Sequence, residues 1–193
     1  PDAGKRCMQN TSVEALIAEV SGDIADPELA WLFENCLPNT LDTTIDHRTG
    51  ADGRPDTYVI TGDIAAMWLR DSAAQVWPYL PLTRTDVAMR RLIAGVIHRQ
   101  ANGVLLDPYA NAFYRDPVFG HWKADVTVML PGIHERKWEL DSPAYFLRLS
   151  HGYWNATGDT SPFDPVWQRA VAAVFALLRV EQAATDDKGT VIS

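Results

Sequence analysis

Residues 61–80, TGDIAAMWLRDSAAQVWPYL, bring Asp63, Trp68, Arg70 and Asp71 within nine positions, just ahead of a short apolar run. A second polar and aromatic stretch, HERKWELDSPAYF at residues 134–146, supplies Trp138, Glu139 and Asp141. Both contain Asp-Ser before apolar residues. Carboxylates accept from sugar hydroxyls, an arginine donates to them from a rigid fork, and an indole face stacks on the C–H surface of a sugar ring. The same residue types also close helices, because Asp and Ser accept from the free N–H groups of a first turn. For each Asp-Ser taken alone, capping is the default reading and sugar binding the sharper one.

The elements that must position these residues are helices. Val13, Leu16, Ile17, Val20 and Ile24 share one helical face, and Leu29, Leu32, Phe33, Cys36 and Leu37 share another after the start signal Asp26-Pro27. A third helix follows Asp71-Ser72 and stops near Pro78 or Pro81. The fourth carries Met89, Leu92, Ile93, Val96 and Ile97. The fifth opens at Ser142-Pro143 and runs to about Gly158, and the sixth starts at Asp164-Pro165 with Trp167, Val171, Val174 and Leu178 on one face. The links after the second and fourth helices are long, about 30 and 40 residues on boundaries good to a few positions. Long ordered loops are usually functional. Antiparallel neighbours alternate direction, so the third and fifth helices begin at the same end. Both long loops lead into them, which gathers Trp68, Arg70, Asp71, Glu139 and Asp141 on one rim. Within the loops, residues 57–60 and 125–130 read as short strands of small rim hairpins. Trp31, Trp154 and Trp167 are expected in the core and Cys36 as a buried thiol. Trp68, Trp122 and Trp138, in the loops, are the sugar-stacking candidates.

Composition narrows the function classes. With 193 residues, 47% hydrophobic and 22% charged, the chain can build one sizeable core. A net charge of -8 argues against nucleic-acid and anionic-membrane partners, which need clustered Lys and Arg. No apolar run approaches the length of a membrane span. Cys7 and Cys36 form no metal pattern, and His121 and His134 lack the spacing of a metal pair. The expectation is no metal and no cofactor. Asn10-Thr11-Ser12 and Asn155-Ala156-Thr157 are acceptor triplets for N-linked glycans and hint at a secretory or extracellular setting.

The run Tyr58-Val59-Ile60-Thr61-Gly62-Asp63-Ile64, followed by Met67-Trp68-Leu69-Arg70-Asp71-Ser72-Ala73-Ala74-Gln75-Val76, resembles the signature of glycoside hydrolase family 125. Glu139-Leu140-Asp141-Ser142 resembles a second motif of that family, as does the neighbourhood of Asn111-Ala112-Phe113. The resemblance runs in order from about residue 26 to residue 180. It implies an all-α (α/α)6 toroid and a metal-independent, exo-acting α-mannosidase. The implied reaction is hydrolysis of non-reducing terminal α-1,6-linked mannose, from oligosaccharides or N-glycans, with inversion. The resemblance makes Asp141 the general acid. It places Arg70 and Asp71 in the mannose site; Asp63, Trp68, Asn111 and Glu139 complete the expected substrate-binding set, with Glu139 a neighbour that tunes or positions Asp141 rather than the opposing base.

A toroid of this kind has twelve helices and the chain shows six, so residues 1–193 are expected to form the N-terminal half of a single domain, with its C-terminal half as partner. Inverting hydrolysis needs two carboxyl groups about 6.5–9.5 Å apart. The family's base belongs to the other half, so the chain alone is expected to be inactive. The alternative is a non-catalytic glycan-binding or interaction fragment with an incomplete site. One physical objection stands against Asp141 as acid: a helix N-terminus favours the ionised carboxylate, whereas an acid must hold its proton.

Overall fold

In a computed structural model, residues 10–124, 126–185 and 191–192 are described. Cys7 and the side chains of His121 and Trp122 lie outside what is described. Six helices of eight residues or more are found among the described residues: α1 (Thr11–Asp23), α2 (Pro27–Cys36), α4 (Leu69–Val76), α5 (Val87–Leu106), α6 (Asp141–Thr157) and α7 (Pro165–Glu181). A five-residue turn of helix, α3 (Asn39–Thr43), follows α2. Helix α4 runs on as 3-10 helix from Trp77 to Arg84, where Pro78 and Pro81 withhold the N–H groups an α-helix needs. The long antiparallel helices make half of an (α/α)6 toroid in architecture.

The core forms around α5. Leu92, Ile93, Val96, Ile97 and Val104 of that helix are buried against Val76 of α4, Phe146, Leu149 and Tyr153 of α6, and Ala170 and Val174 of α7. These are the positions set by the 3.6-residue period, and packing of such a stripe, more than local propensity, holds a helix. The first long loop carries a hairpin, β1 (Ile45–Thr49) with β2 (Pro55–Val59), paired antiparallel with Ile45 opposite Val59. Strand β2 lies directly on α5. A Cβ added at Gly95 would meet Thr57 Oγ1 at 2.3 Å and Thr57 N at 3.0 Å, so only glycine allows this approach.

A second small sheet forms where the two long loops meet. Strands β3 (Met67–Trp68), β4 (Ala112–Phe113) and β5 (Ile133–Glu135) run antiparallel in the order β3-β4-β5. It ties the start of α4 to the loop that feeds α6.

Several expectations are corrected. Residues 126–130 form no strand; the strand lies after the turn at Pro131-Gly132, where Gly132 takes a φ of 94°. Cys36 is an exposed free thiol, not a buried one. Trp31 and Trp154 are surface residues, 59% and 49% exposed, whereas Trp167 packs on the core as expected. Helix α2 buries none of its residues; Leu29, Trp31 and Leu32 face outward. Periodicity identifies an apolar face but not what covers it.

Candidate active site

The Asp-Ser pairs do not cap their helices. Helix α4 begins two residues before Asp71, with Trp68 in the N-cap position and no side-chain cap. Its first free donor, the Leu69 N–H, goes instead to the carbonyl of Asn111 at 3.0 Å, across the rim sheet. Helix α6 begins at Asp141 itself, with Leu140 before it and again no side-chain cap. The carboxylates of Asp71 and Asp141 are therefore free of that duty.

They are gathered on Arg70. Arg70 Nη1 donates to Asp141 Oδ2 at 2.8 Å and to Glu139 Oε2 at 3.0 Å, while Nε lies 3.6 Å from Asp71 Oδ2. The rim predicted from helix parity thus exists as a direct contact between the N-termini of α4 and α6. All four side chains are about one-third to two-fifths exposed, so the cluster is open to a ligand. The hydrogen bond to Asp141 is the largest influence raising the Arg70 pKa above its ordinary value, with the other two carboxylates adding to it. The guanidinium remains a cation wherever the protein is folded. Three acidic side chains around one guanidinium place several acceptors side by side, suited to hydrogen bonds from the hydroxyls of a neutral sugar.

Asp141 uses its two oxygens differently. Oδ2 accepts from Arg70, and Oδ1 is buried without a hydrogen-bond partner among the described residues. Glu139 and Asp141 share one donor nitrogen, so their bonded oxygens lie less than about 6 Å apart. That is short of the separation an inverting pair spans.

The remaining predicted residues stand around this cluster. Trp68 is only 9% exposed; its ring meets His134 edge-on at 4.9 Å and packs with Ala66 and Ala112. It underlies the site rather than presenting an open face. Trp138 is half-buried and meets Tyr109 edge-on at 5.8 Å. Asp63 sits exposed in the tight turn Thr61–Ile64, and no hydrogen bond or ion pair joins it to the Arg70 cluster among the described residues. Asn111 is fully buried. Its backbone holds both rim strands, and its Nδ2 donates to Glu135 Oε1 at 3.2 Å and to the carbonyl of Lys137. It fixes the segment that leads to Glu139.

Gln100 escaped the sequence reading. It is buried on α5, and its Nε2 donates to Leu69 O at 3.0 Å and to Ser72 Oγ at 2.9 Å, pinning the first turn of α4 beside Arg70. The signal was present: Gln100 follows Ile93, Val96 and Ile97 at helical spacing, and a polar residue on a buried stripe needs partners. Among the described residues no group of three or more His, Cys, Asp or Glu side chains is arranged to hold a metal ion.

A family model described as metal-independent alpha-mannosidase (GH125) matches residues 26–192. The meiotically up-regulated gene 157 protein of Schizosaccharomyces pombe is 40% identical over 198 residues, covering 98% of this chain and 39% of that protein. A solved structure from Streptococcus pneumoniae, of a widely distributed family of metal-independent alpha mannosidases and in a non-productive complex with alpha-1,6-mannobiose, matches with a TM-score of 0.80. It is 41% identical over 90% of this chain and 40% of that one. The chain thus spans about two fifths of the length of the relatives it matches.

Proposed function

The chain belongs to the metal-independent α-mannosidases of family GH125, and from that premise we propose that it supplies one side of an exo-acting site that hydrolyses terminal α-1,6-linked mannose with inversion. The observation that carries this reading is the Arg70 guanidinium joined to Asp71, Glu139 and Asp141 on an open rim. Asp141 is the general acid, its carboxyl group giving a proton to the glycosidic oxygen as the bond breaks. Arg70 and Asp71 hold hydroxyls of the terminal mannose, Glu139 positions Arg70 against Asp141, and Trp68 and Asn111 support them from beneath. Asp63, exposed in the turn before β3, is a ligand from the loop side.

The opposing base, which activates water on the far face of the sugar, comes from the C-terminal half of the same domain. Glu139 is excluded from that role by its closeness to Asp141. Residues 1–193 are on this reading the N-terminal half of one catalytic domain. Mannose-containing oligosaccharides or N-glycans are the substrates, and the two acceptor triplets favour a secretory or extracellular setting. The direct test is hydrolysis of α-1,6-mannobiose by a protein extended over the full length of the relatives, read by the anomer first released. The expected product is the inverted β-mannose; release of α-mannose, or no hydrolysis by the extended protein, would overturn the proposal.

A further inference from the structure

The two Asn-x-Thr/Ser triplets are equivalent in sequence and opposite in structure. Asn10 is 8% exposed, and both ends of its amide are engaged: Oδ1 accepts from Val13 N at 3.0 Å as the N-cap of α1, and Nδ2 donates to Asp86 Oδ2 at 2.8 Å. Asp86 is in turn the N-cap of α5, accepting from Met89 N. A sugar on Asn10 Nδ2 would have to sit where two helix starts are joined. Asn155 differs in every respect. It lies exposed in the last turn of α6, and its side chain makes no hydrogen bond among the described residues. A groove of about 490 Å³ opens beside it, lined by Trp77, Pro81, Arg84 and His151. Trp77 lines this groove with the Arg148 guanidinium 4.0 Å over its ring, so at most one indole face is left for the C–H surface of a first sugar.

We propose that Asn155 is an N-linked glycan acceptor of this chain and that Asn10 is not. In the transfer, Asn155 Nδ2 forms a bond to C1 of the first N-acetylglucosamine of a lipid-linked oligosaccharide. The bond from C1 to the lipid pyrophosphate breaks, the pyrophosphate leaves with its electron pair, and Nδ2 gives up one proton to the transferase's base. The product is compatible with the fold because the remaining amide groups of Asn155 hold nothing together. It is also compatible with the site: Asp141 and Asn155 lie at opposite ends of α6, about 21 Å apart along its axis.

The experiment expresses the full chain behind a cleavable signal sequence in a glycosylating eukaryotic cell. Peptide N-glycosidase treatment in oxygen-18 water then marks each formerly occupied asparagine as a labelled aspartate for mass spectrometry. The expected result is a label at residue 155 alone, one glycan by intact mass, its loss in Asn155→Gln and its retention in Asn10→Gln and Thr157→Ser. Transfer acts on the nascent chain, so the label is read in the folded, secreted protein, where a glycan on Asn10 could not coexist with the bonds that join the starts of α1 and α5; wild type and Asn155→Gln alone decide the outcome. Absence of a glycan, a glycan that persists in Asn155→Gln, or labelling at residue 10 would each overturn the proposal.

Discussion

Arg70 donates from one nitrogen to two carboxylates, so changes on either side of it separate charge from proton donation. Asp141→Asn in the full-length protein keeps an acceptor for Arg70 and removes the transferable proton. We expect hydrolysis of unactivated mannosides to fall by about 10²–10⁴, and a substrate with a good leaving group to lose far less, because its departing oxygen needs little protonation. Equal losses on both substrates would remove Asp141 from the acid role. Its stability should change by less than about 1 kcal/mol, since the pair it weakens is part-exposed. Asp71→Asn addresses binding. Asp71 caps nothing, so a change there should leave the melting temperature nearly untouched while weakening a non-hydrolysable α-1,6-mannoside by about 1.5–3 kcal/mol. Calorimetric titration of wild type and variant gives the answer, and equal affinities would reduce Asp71 to an ion-pair partner of Arg70. That these residues come together was legible because both motifs lie in long loops that lead into helices starting at the same end. Their non-capping geometry was not, since α4 starts two residues before Asp71, where the Leu69 N–H is taken by the carbonyl of Asn111, a partner 42 positions away in sequence.

At the scale of elements, the site depends on how the rim hairpin docks on α5. Asp56 of β2 is held by Arg99 of α5 through two 2.8 Å contacts and by Arg48 at 3.2 Å. Burial alone would raise its pKa, but the hydrogen bonds and charge of the two arginines outweigh it and hold it below 3.8. A carboxylate depressed in the folded state contributes stability that is complete above its unfolded value and lost as pH falls through the folded one. Asp56→Asn should therefore lower stability at pH 7 by about 1–2 kcal/mol, and the gap from wild type should close as pH drops below about 4. Urea titrations across pH 2–7 measure this; a gap that stays constant down to pH 2 would assign the effect to packing. Gly95→Ala tests the same contact sterically. The added carbon would press on the Thr57 backbone, costing about 1–3 kcal/mol, or roughly 2–10 °C in melting temperature; an unchanged melting temperature would show that the hairpin yields. The helices of this array were readable because apolar period and capping signals agree along each of them, as at Asp26-Pro27 and Asp164-Pro165, where the caps form as read. Strand β1, sequence IDHRT, carries no alternation, and its pairing is set by β2 rather than by its own residues. The expected strand at 125–130 failed for a related reason: the residues after Pro131-Gly132, not those before, find a partner in β4.

At the scale of the whole molecule, several large apolar residues are exposed among the described ones. Leu29, Trp31 and Leu32 stand out from α2, and Phe175 and Val180 from α7. Exposed apolar residues on several helices favour association when they form contiguous patches. The proposed mechanism points the same way, because it assigns the acid to Asp141 and the base to the C-terminal half. The 193-residue polypeptide by itself should therefore bind mannosides weakly and turn over α-1,6-mannobiose at a small fraction of the rate of a protein extended to its relatives' length. It should also elute larger than its 21.5 kDa mass on size exclusion. The two measurements are independent. Comparable turnover by the short and extended proteins would mean that both catalytic carboxyls lie within residues 1–193, and would overturn the division of the site between two halves. A monomeric elution with no turnover would keep that division and show instead that the apolar residues on α2 and α7 are too dispersed to act as one surface.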